Sequence, residues 1–295
     1  MFHKSDEVAP QEIRNPAVAG QFYPGDADEL RNEVEHLLQT VSTSVRRRKK
    51  TAGEVIAGVV PHAGYMYSGA VAAKFYLLLA NTESPLVFII APSHREYFSA
   101  ISVFCGMAYR TPLGDLPVNY QMADALLSRG EPFINSWQGH RGEHALEVQL
   151  PFLQMLSTNL TGSLTNMQIV PIVMGDQRPE FCEQLGAALA EILNDRRALI
   201  IASSDLSHYH THQEAQKLDR RILQCVKKLS PERLLDELEN GRAEACGGGA
   251  IAATMMAARR LGATAGEILD YRDSSAVSGE EGQVVGYLSA AFYKA

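Results

Sequence analysis

Cysteine is scarce in this chain of 295 residues, which contains only Cys105, Cys182, Cys225 and Cys246. Four cysteines in a chain of this length are too few for a disulfide framework. The first fifteen residues also lack the apolar segment of a secretory signal, because charged side chains are spread through them. These features predict a cytoplasmic protein whose thiols stay reduced.

Long apolar runs and an excess of basic charge are also missing. No apolar run approaches the roughly 18 residues needed to cross a bilayer. The chain has 27 Lys and Arg against 34 Asp and Glu, a formal net charge of -7. The one basic run, residues 46–50, is typical of a solvated loop. We therefore expect no membrane and no nucleic acid among the partners of this protein.

Several catalytic and nucleotide-binding motifs are absent as well. The sequence has no Gly-x-x-x-x-Gly-Lys phosphate loop, no Gly-x-Gly-x-x-Gly after the first strand and no Gly-x-Ser-x-Gly elbow. Nucleotide binding and serine hydrolase chemistry therefore have no support from motifs.

The pattern that is present alternates short apolar runs with amphipathic segments, which predicts an α/β protein. We expect a single domain over residues 14–295, with a mixed sheet flanked by helices on both faces, after a flexible segment over residues 1–13. Strands are predicted at 55–60, 86–91, 168–174, 198–202 and 284–293, with an antiparallel insertion over 100–109. Helices are predicted at 26–39, 69–80, 120–129, 143–156, 179–193, 212–228, 231–239 and 249–261.

Histidines follow three of the predicted strands. His62 and His94 come after the first two long runs, and His208 follows the run that ends at Ala202. In open α/β sheets the ligand crevice lies at the carboxyl ends of the strands. Adjacent strands would make His62 and His94 a divalent-metal half-site, whereas each histidine taken alone is more often structural.

Cys246 is the candidate for a third metal ligand. It precedes a glycine run and an apolar helical segment, and a helix N-terminus lowers the pKa of a thiol. The glycines would let the backbone approach closely. The alternative is a small buried cysteine beside a turn.

Acidic side chains near the other histidines suggest acid-base chemistry. Asp205 and His208 share one turn and would act as an orienting carboxylate and a catalytic imidazole. The alternative is that Ser203, Ser204 or Asp205 only caps a helix. Glu143 and Glu147 lie four residues apart on a predicted helix, which would put both carboxylates on one face beside His144. The missing His-Glu-x-x-His pattern disfavours a zinc protease.

Several of these segments, in this order, resemble the Memo family, whose bacterial and archaeal members are called AmmeMemoRadiSam system protein B. The matching motifs are Ala19-Gly20-Gln21-Phe22-Tyr23, Pro61-His62-Ala63-Gly64-Tyr65, Pro92-Ser93-His94, Glu143-His144-x-x-Glu147-x-x-Leu150-Pro151, Ser203-Ser204-Asp205-x-x-His208, Cys246-Gly247 and Asp273-Ser274-Ser275. The family is similar in fold to class III extradiol dioxygenases of the LigB type, which use non-haem iron. Its naming implies AMMECR-type and radical-SAM protein partners.

The resemblance implies a metal set of His62, His94 and Cys246, with Asp205 and His208 lining the same pocket. Further pocket candidates are Tyr65, Ser93, Glu143, His144, Glu147, Ser204 and Ser274. A typical Fe(II) oxygenase presents two histidines and a carboxylate, whereas the third candidate here is a thiolate. That donor set suits Fe²⁺ first, with copper or zinc as alternatives.

Three functions follow from these residues. The leading hypothesis is a metal-dependent oxidoreductase, dioxygenase-like, with iron at the strand ends and an unknown small-molecule substrate. The second is a non-catalytic carrier of iron or copper, or a receptor for a peptide or small molecule. The third is a zinc-dependent hydrolase in which Glu143 or Glu147 activates a metal-bound water.

Overall fold

A computed structural model describes residues 6–46, 53–79, 86–159, 167–194 and 196–294 of the chain. Most of the basic run at 46–50 and the first five residues lie outside these ranges. Within them, no helix is long and apolar enough to cross a membrane.

Strands and helices alternate through most of the described chain. The strands are β1 (Ile13–Arg14), β2 (Glu54–Val60), β3 (Leu86–Pro92), β4 (Ile101–Val103), β5 (Ala108–Thr111), β6 (Gly114–Pro117), β7 (Phe133–Asn135), β8 (Gln168–Met174), β9 (Leu199–Ser203), β10 (His208–His210), β11 (Ala263–Asp273) and β12 (Val284–Lys294). The helices are α1 (Ala27–Arg46), α2 (Tyr65–Leu78), α3 (Tyr120–Leu127), α4 (Leu150–Asn159), α5 (Pro179–Ile192), α6 (His212–Lys227), α7 (Pro231–Glu239), α8 (Gly248–Arg260) and α9 (Ser275–Ser278).

In the described part of the chain, the main sheet has nine strands, in the order β10-β12-β2-β9-β3-β8-β4-β7, with β11 paired to β12. Its centre is parallel: β9 lies between β2 and β3, and β3 also pairs with β8. The pairs of β12 with β2, β10 and β11 are antiparallel, so the sheet is mixed. A second sheet is formed by β1, β5 and β6.

Apolar residues of the sheet alternate between two cores, one on each face. Ile89 and Ile201 pack into one core together with side chains of α1, α2 and α4. Phe88 and Ile200 pack into the other, with side chains of α3, α5, α6 and α8. Successive residues of a strand point to opposite faces, so fully apolar runs require cover on both sides. The predicted single α/β domain with helices on both faces is confirmed.

Several details differ from the sequence-based expectation, among them the following three. β2 and β3 are not adjacent, because β9 lies between them. The strand β11 was not predicted. The helix expected over 143–156 begins only at Leu150, after a short 3-10 turn at Glu147–Gln149.

Part of the predicted flexible segment packs against the domain. Val8 is buried, and its backbone carbonyl accepts a hydrogen bond of 2.8 Å from the Asn135 side chain. Trp137 donates a hydrogen bond of 2.9 Å to Glu12. The domain boundary at residue 13 stays a prediction.

Candidate metal centre

Three histidines from separate segments meet at the carboxyl edge of the main sheet. His62 follows β2, His94 follows β3, and His144 lies in the loop before α4. One ring nitrogen of each lies within 4.8 Å of one ring nitrogen of the others. The ring centroids of His62 and His94 are 5.1 Å apart although β9 separates their strands. Three imidazoles at this spacing can bind one metal ion.

His62 is the most buried of the three and is held from three sides. Its backbone N–H donates to Asp205 at 2.7 Å. Its Nδ1 atom lies 3.0 Å from Ser203 Oγ, and its Nε2 atom lies 3.1 Å from Cys246 Sγ. Burial lowers the pKa of His62 well below its usual value, and the nearby His94 and His144 lower it further. The imidazole is therefore neutral at physiological pH, as a metal ligand must be.

Glu143 lies behind the two other histidines. Its Oε1 atom is 3.0 Å from Nδ1 of His94 and 3.0 Å from Nδ1 of His144. Its Oε2 atom accepts a hydrogen bond of 2.6 Å from the backbone N–H of His94. Burial favours the neutral acid, but hydrogen bonds from His144, His94 and the backbone together hold the pKa of Glu143 below its usual range. Carboxylates in this position orient metal-binding histidines in many proteins.

Cys246 reaches the site from the turn before α8. Besides the contact with His62, its Sγ atom accepts a hydrogen bond of 3.2 Å from the backbone N–H of Asp205. The close approach requires glycine at 247, because a Cβ atom there would lie 2.6 Å from the carbonyl oxygen of Ser203. The expected lowering of the thiol pKa is wrong for the metal-free protein. Burial and the charge of Asp205 raise the pKa of Cys246 instead.

Asp205 and His208 occupy different positions around the site. Asp205 is buried, and burial raises its pKa to about 7. Its carboxylate accepts hydrogen bonds from the backbone N–H groups of His62 and Ala63, and the described residues show none between Asp205 and His208. His208 lies on β10, where burial lowers its pKa. Their predicted catalytic roles stay predictions.

A cavity of about 600 Å³ opens beside Cys246 and His208. Its wall includes Leu206, Leu235 and Leu238, and polar side chains such as Gln177, Arg178, Glu239 and Glu244 also line it. A cavity of this size and mixed lining can accommodate a small organic molecule. The candidate ligand Cys246 therefore lies between the histidines and a space for a ligand.

The other candidate pocket residues make local contacts. Tyr65 donates from its hydroxyl to the Val148 carbonyl at 2.7 Å, and Ser93 donates to Glu96 at 2.6 Å. The hydroxyl of Ser204 accepts from the Gly247 N–H at 2.9 Å. Ser274 accepts from the Val285 N–H at 3.1 Å.

Glu147 faces away from the histidine cluster, towards the N-terminal segment. Its carboxylate forms an ion pair with Arg14 and accepts hydrogen bonds from Tyr23 and from the backbone N–H groups of Ala17 and Val18. The expectation that Glu143 and Glu147 share one helix face is wrong, because Glu143 lies in the loop before the 3-10 turn. Glu143 contacts His94 and Glu147 contacts Arg14, so the two carboxylates point in different directions.

Sequence reasoning treated His144 as a pocket residue and did not assign it to the metal. His144 does not follow a strand, and only its position beside Glu143 in a shared motif signalled a role. The supporting residue Gln149 was not singled out, and Ser203 was named only as part of a motif. Gln149 donates from its side chain to Pro61 at 2.9 Å and to Ser203 at 2.8 Å.

The fold and the site together define an α/β protein with a candidate histidine metal centre at the carboxyl edge of its sheet. Residues 14–291 match the family model described as Memo-like protein. A MEMO1 family protein of Methanopyrus kandleri is 36% identical over 95% of this chain and 98% of its own length. A second, from Methanosarcina mazei, is 37% identical over 94% of this chain and 97% of its own length. The chain belongs to the Memo family.

A solved structure supports the fold. An uncharacterized protein, JW3007 from Escherichia coli K12, superposes with a TM-score of 0.55 and 12% sequence identity. The match covers 80% of this chain and 99% of that one. At this identity the similarity concerns the fold alone.

Proposed function

We propose that this protein binds one iron ion between His62, His94 and His144, with Cys246 as a further ligand, and acts as an oxidoreductase. The observation that carries the proposal is the convergence of three imidazoles, from three separate segments, at one point of the sheet edge, with the thiol of Cys246 3.1 Å from His62. Imidazole with thiolate suits iron, copper or zinc, and not calcium or magnesium.

The residues present fit a metal ion. The Nδ1 atoms of His94 and His144 each lie 3.0 Å from Glu143 Oε1, which leaves the Nε2 atom of each ring to bind a metal. Glu143 provides the second layer of contacts that metal-binding histidines require. The thiol of Cys246 would lose its proton on binding, because a metal overrides the effect of burial on its pKa.

Iron bound here would supply one-electron redox chemistry and the activation of O₂. The surrounding residues would perform the remaining tasks. His208 has a lowered pKa and is neutral at physiological pH, so its ring can accept a proton from a molecule in the cavity. Leu206, Leu235 and Leu238 would exclude water from the apolar part of that molecule.

Alanine substitution tests the histidine ligands. His62→Ala, His94→Ala and His144→Ala should each abolish stoichiometric binding of Fe²⁺ or Co²⁺ in titrations of the metal-free protein. His36→Ala is the matched control, because His36 is exposed on α1, and it should bind like the unmodified protein. Unchanged metal content in the His62 and His94 variants, with folding verified by circular dichroism, would refute the proposed centre.

The role of Cys246 has a separate spectroscopic test. A cobalt ion bound by a thiolate absorbs in the near ultraviolet through charge transfer from sulfur. We expect this band in the unmodified protein and in Cys105→Ala, whose thiol is buried elsewhere, but not in Cys246→Ser. A band that persists in Cys246→Ser would remove Cys246 from the ligand set.

A metal carrier is the second candidate function. It is favoured by the thiol of Cys246 next to His62, since three histidines and one cysteine would complete a tetrahedral site if Cys246 also binds the metal. A saturated site would leave no position for O₂ or substrate. The partners implied by the family naming, an AMMECR-type and a radical-SAM protein, would then receive or deliver the metal.

The zinc-dependent hydrolase remains the third hypothesis, and the contacts of its two carboxylates do not favour it. It required Glu143 or Glu147 as a free carboxylate beside a metal-bound water. Glu143 is occupied by His94 and by backbone N–H groups, and Glu147 is paired with Arg14.

A further inference from the structure

A buried chain of hydrogen bonds behind His62 starts at Tyr76 and passes through Gln149 and Ser203. Tyr76 donates from its hydroxyl to Gln149 Oε1 at 2.7 Å. The Nε2 atom of Gln149 lies 2.9 Å from the Pro61 carbonyl and 2.8 Å from Ser203 Oγ. Ser203 Oγ lies 3.0 Å from Nδ1 of His62. Tyr76, Gln149, Ser203 and His62 are all at most 1% exposed, so water does not satisfy these groups.

The direction of each bond follows from groups that have only one possible role. The carbonyl of Pro61 can only accept, so the Gln149 atom facing it is the amide nitrogen, and the same nitrogen donates to Ser203. The carbonyl of Ala145 can also only accept, and it lies 2.5 Å from Ser203 Oγ. The single hydroxyl proton of Ser203 is therefore committed to Ala145.

This assignment leaves one role for the His62 ring. Ser203 Oγ has no second proton to give, so the Nδ1 atom of His62 must be the donor of their contact. A neutral imidazole carries one proton, and the lone pair therefore lies on Nε2. That atom faces the cluster, 3.1 Å from Cys246 Sγ.

We propose that Ser203, held in place by Gln149, is a positioning residue that fixes His62 in its Nδ1–H tautomer, so that Nε2 presents a lone pair to the metal centre. The inference rests on the proposed function, because the lone pair of Nε2 would serve a metal ion. Its test does not, because the tautomer of His62 can be measured without a metal. The same hydroxyl connects β9 to the loop that carries His144, through Ala145. One serine thus positions two of the three histidines.

The alternative tautomer has a specific consequence. With the proton on Nε2, His62 would donate towards Cys246 and would have no lone pair for a metal. Removal of the Ser203 hydroxyl takes away the acceptor for Nδ1–H and makes this state accessible. Loss of such a supporting contact typically weakens metal affinity 10- to 100-fold.

The test uses nitrogen-15 NMR of metal-free protein labelled at histidine, with the His62 signals assigned by their absence in His62→Asn. The unmodified protein should show a protonated Nδ1 and an unprotonated Nε2. Ser203→Ala should shift His62 towards Nε2–H or a mixture, whereas Ser203→Thr, which keeps the hydroxyl, should keep Nδ1–H. Ser102→Ala is the matched control, because Ser102 is a buried strand serine that donates to Ser136.

The outcomes separate this inference from the proposed function. An Nε2–H signal for His62 in the unmodified protein overturns the inference, whether or not a metal binds. An Nδ1–H signal that Ser203→Ala leaves unchanged also overturns it. If the tautomer responds as expected, Co²⁺ titration should show at least 10-fold weaker binding in Ser203→Ala. Failure of the unmodified protein to bind any metal would overturn the proposed function alone.

Discussion

The buried ion pair of Arg14 and Glu147 should be essential for stability. Arg14 is 1% exposed and Glu147 is fully buried. Arg14 also donates to the His140 carbonyl at 2.9 Å and to the Glu143 carbonyl at 2.5 Å, so it connects β1 to the loop that carries Glu143. In Arg14→Met the carboxylate of Glu147 stays buried without a cation. Breaking a buried pair in this way costs about 3–5 kcal/mol of unfolding free energy.

The assay is urea unfolding of the metal-free protein, followed by circular dichroism. The double variant Arg14→Met/Glu147→Gln should be more stable than Arg14→Met alone, because it removes the uncompensated charge and keeps one acceptor oxygen, for either the Ala17 or the Val18 N–H group. The control is Arg110→Met, which breaks an exposed pair with Asp115 and should change stability little. A loss below about 1 kcal/mol in Arg14→Met would refute the reasoning, because exposed pairs already contribute that much.

Three further predictions concern groups around the site. Glu143→Gln should weaken Co²⁺ binding about 10- to 100-fold. The control Glu280→Gln, at an exposed position, should have no effect. Equal Co²⁺ affinities of the Glu143→Gln variant and the unmodified protein in a titration would contradict the role of Glu143 in orienting the histidines. Burial lowers the pKa of His140 to about 3. Below about pH 6.5 this histidine therefore binds a proton in the unfolded chain but not in the folded protein. The folded protein loses stability as the pH falls from about 6.5 towards about 3. His140→Asn should reduce the slope of unfolding free energy against pH by up to about 1.4 kcal/mol per unit, and an unchanged slope would exclude His140 as its source. Burial and the charge of Asp205 raise the pKa of Cys246. Iodoacetamide should therefore modify Cys246 at pH 8 much more slowly in the folded metal-free protein than in urea. Equal rates measured by mass spectrometry would contradict the buried environment of the thiol.

The central strands could be predicted because their sequences are apolar without interruption. Residues 168–174 match β8, and the predicted run 86–91 lies within β3. The strand β11 was missed because, among the described strands, it pairs with β12 alone and many of its residues are only partly buried. Its sequence is therefore mixed, with Glu267 and Arg272. The strand β11 depends on its long pairing with β12, and the local sequence does not predict that pairing.

The candidate site was partly predictable for a similar reason. His62 and His94 follow apolar strands, and the general position of ligand crevices in α/β sheets identifies such residues. Their approach across β9, and the arrival of His144 from a loop, depend on long-range contacts. The predicted helix failed at its first turn because Glu143 binds the backbone N–H groups of His94 and Ala145 instead of continuing the helix.

The central claim is that this edge of the sheet holds a metal ion with a position open to a ligand. The most direct measurement is metal analysis of protein purified without air, combined with electron paramagnetic resonance before and after addition of nitric oxide. The account predicts about one iron per chain and a new iron-nitrosyl signal, both lost in His62→Ala and unchanged in His36→Ala. The absence of any bound metal, after reconstitution with Fe²⁺ or Co²⁺ as well, would contradict it.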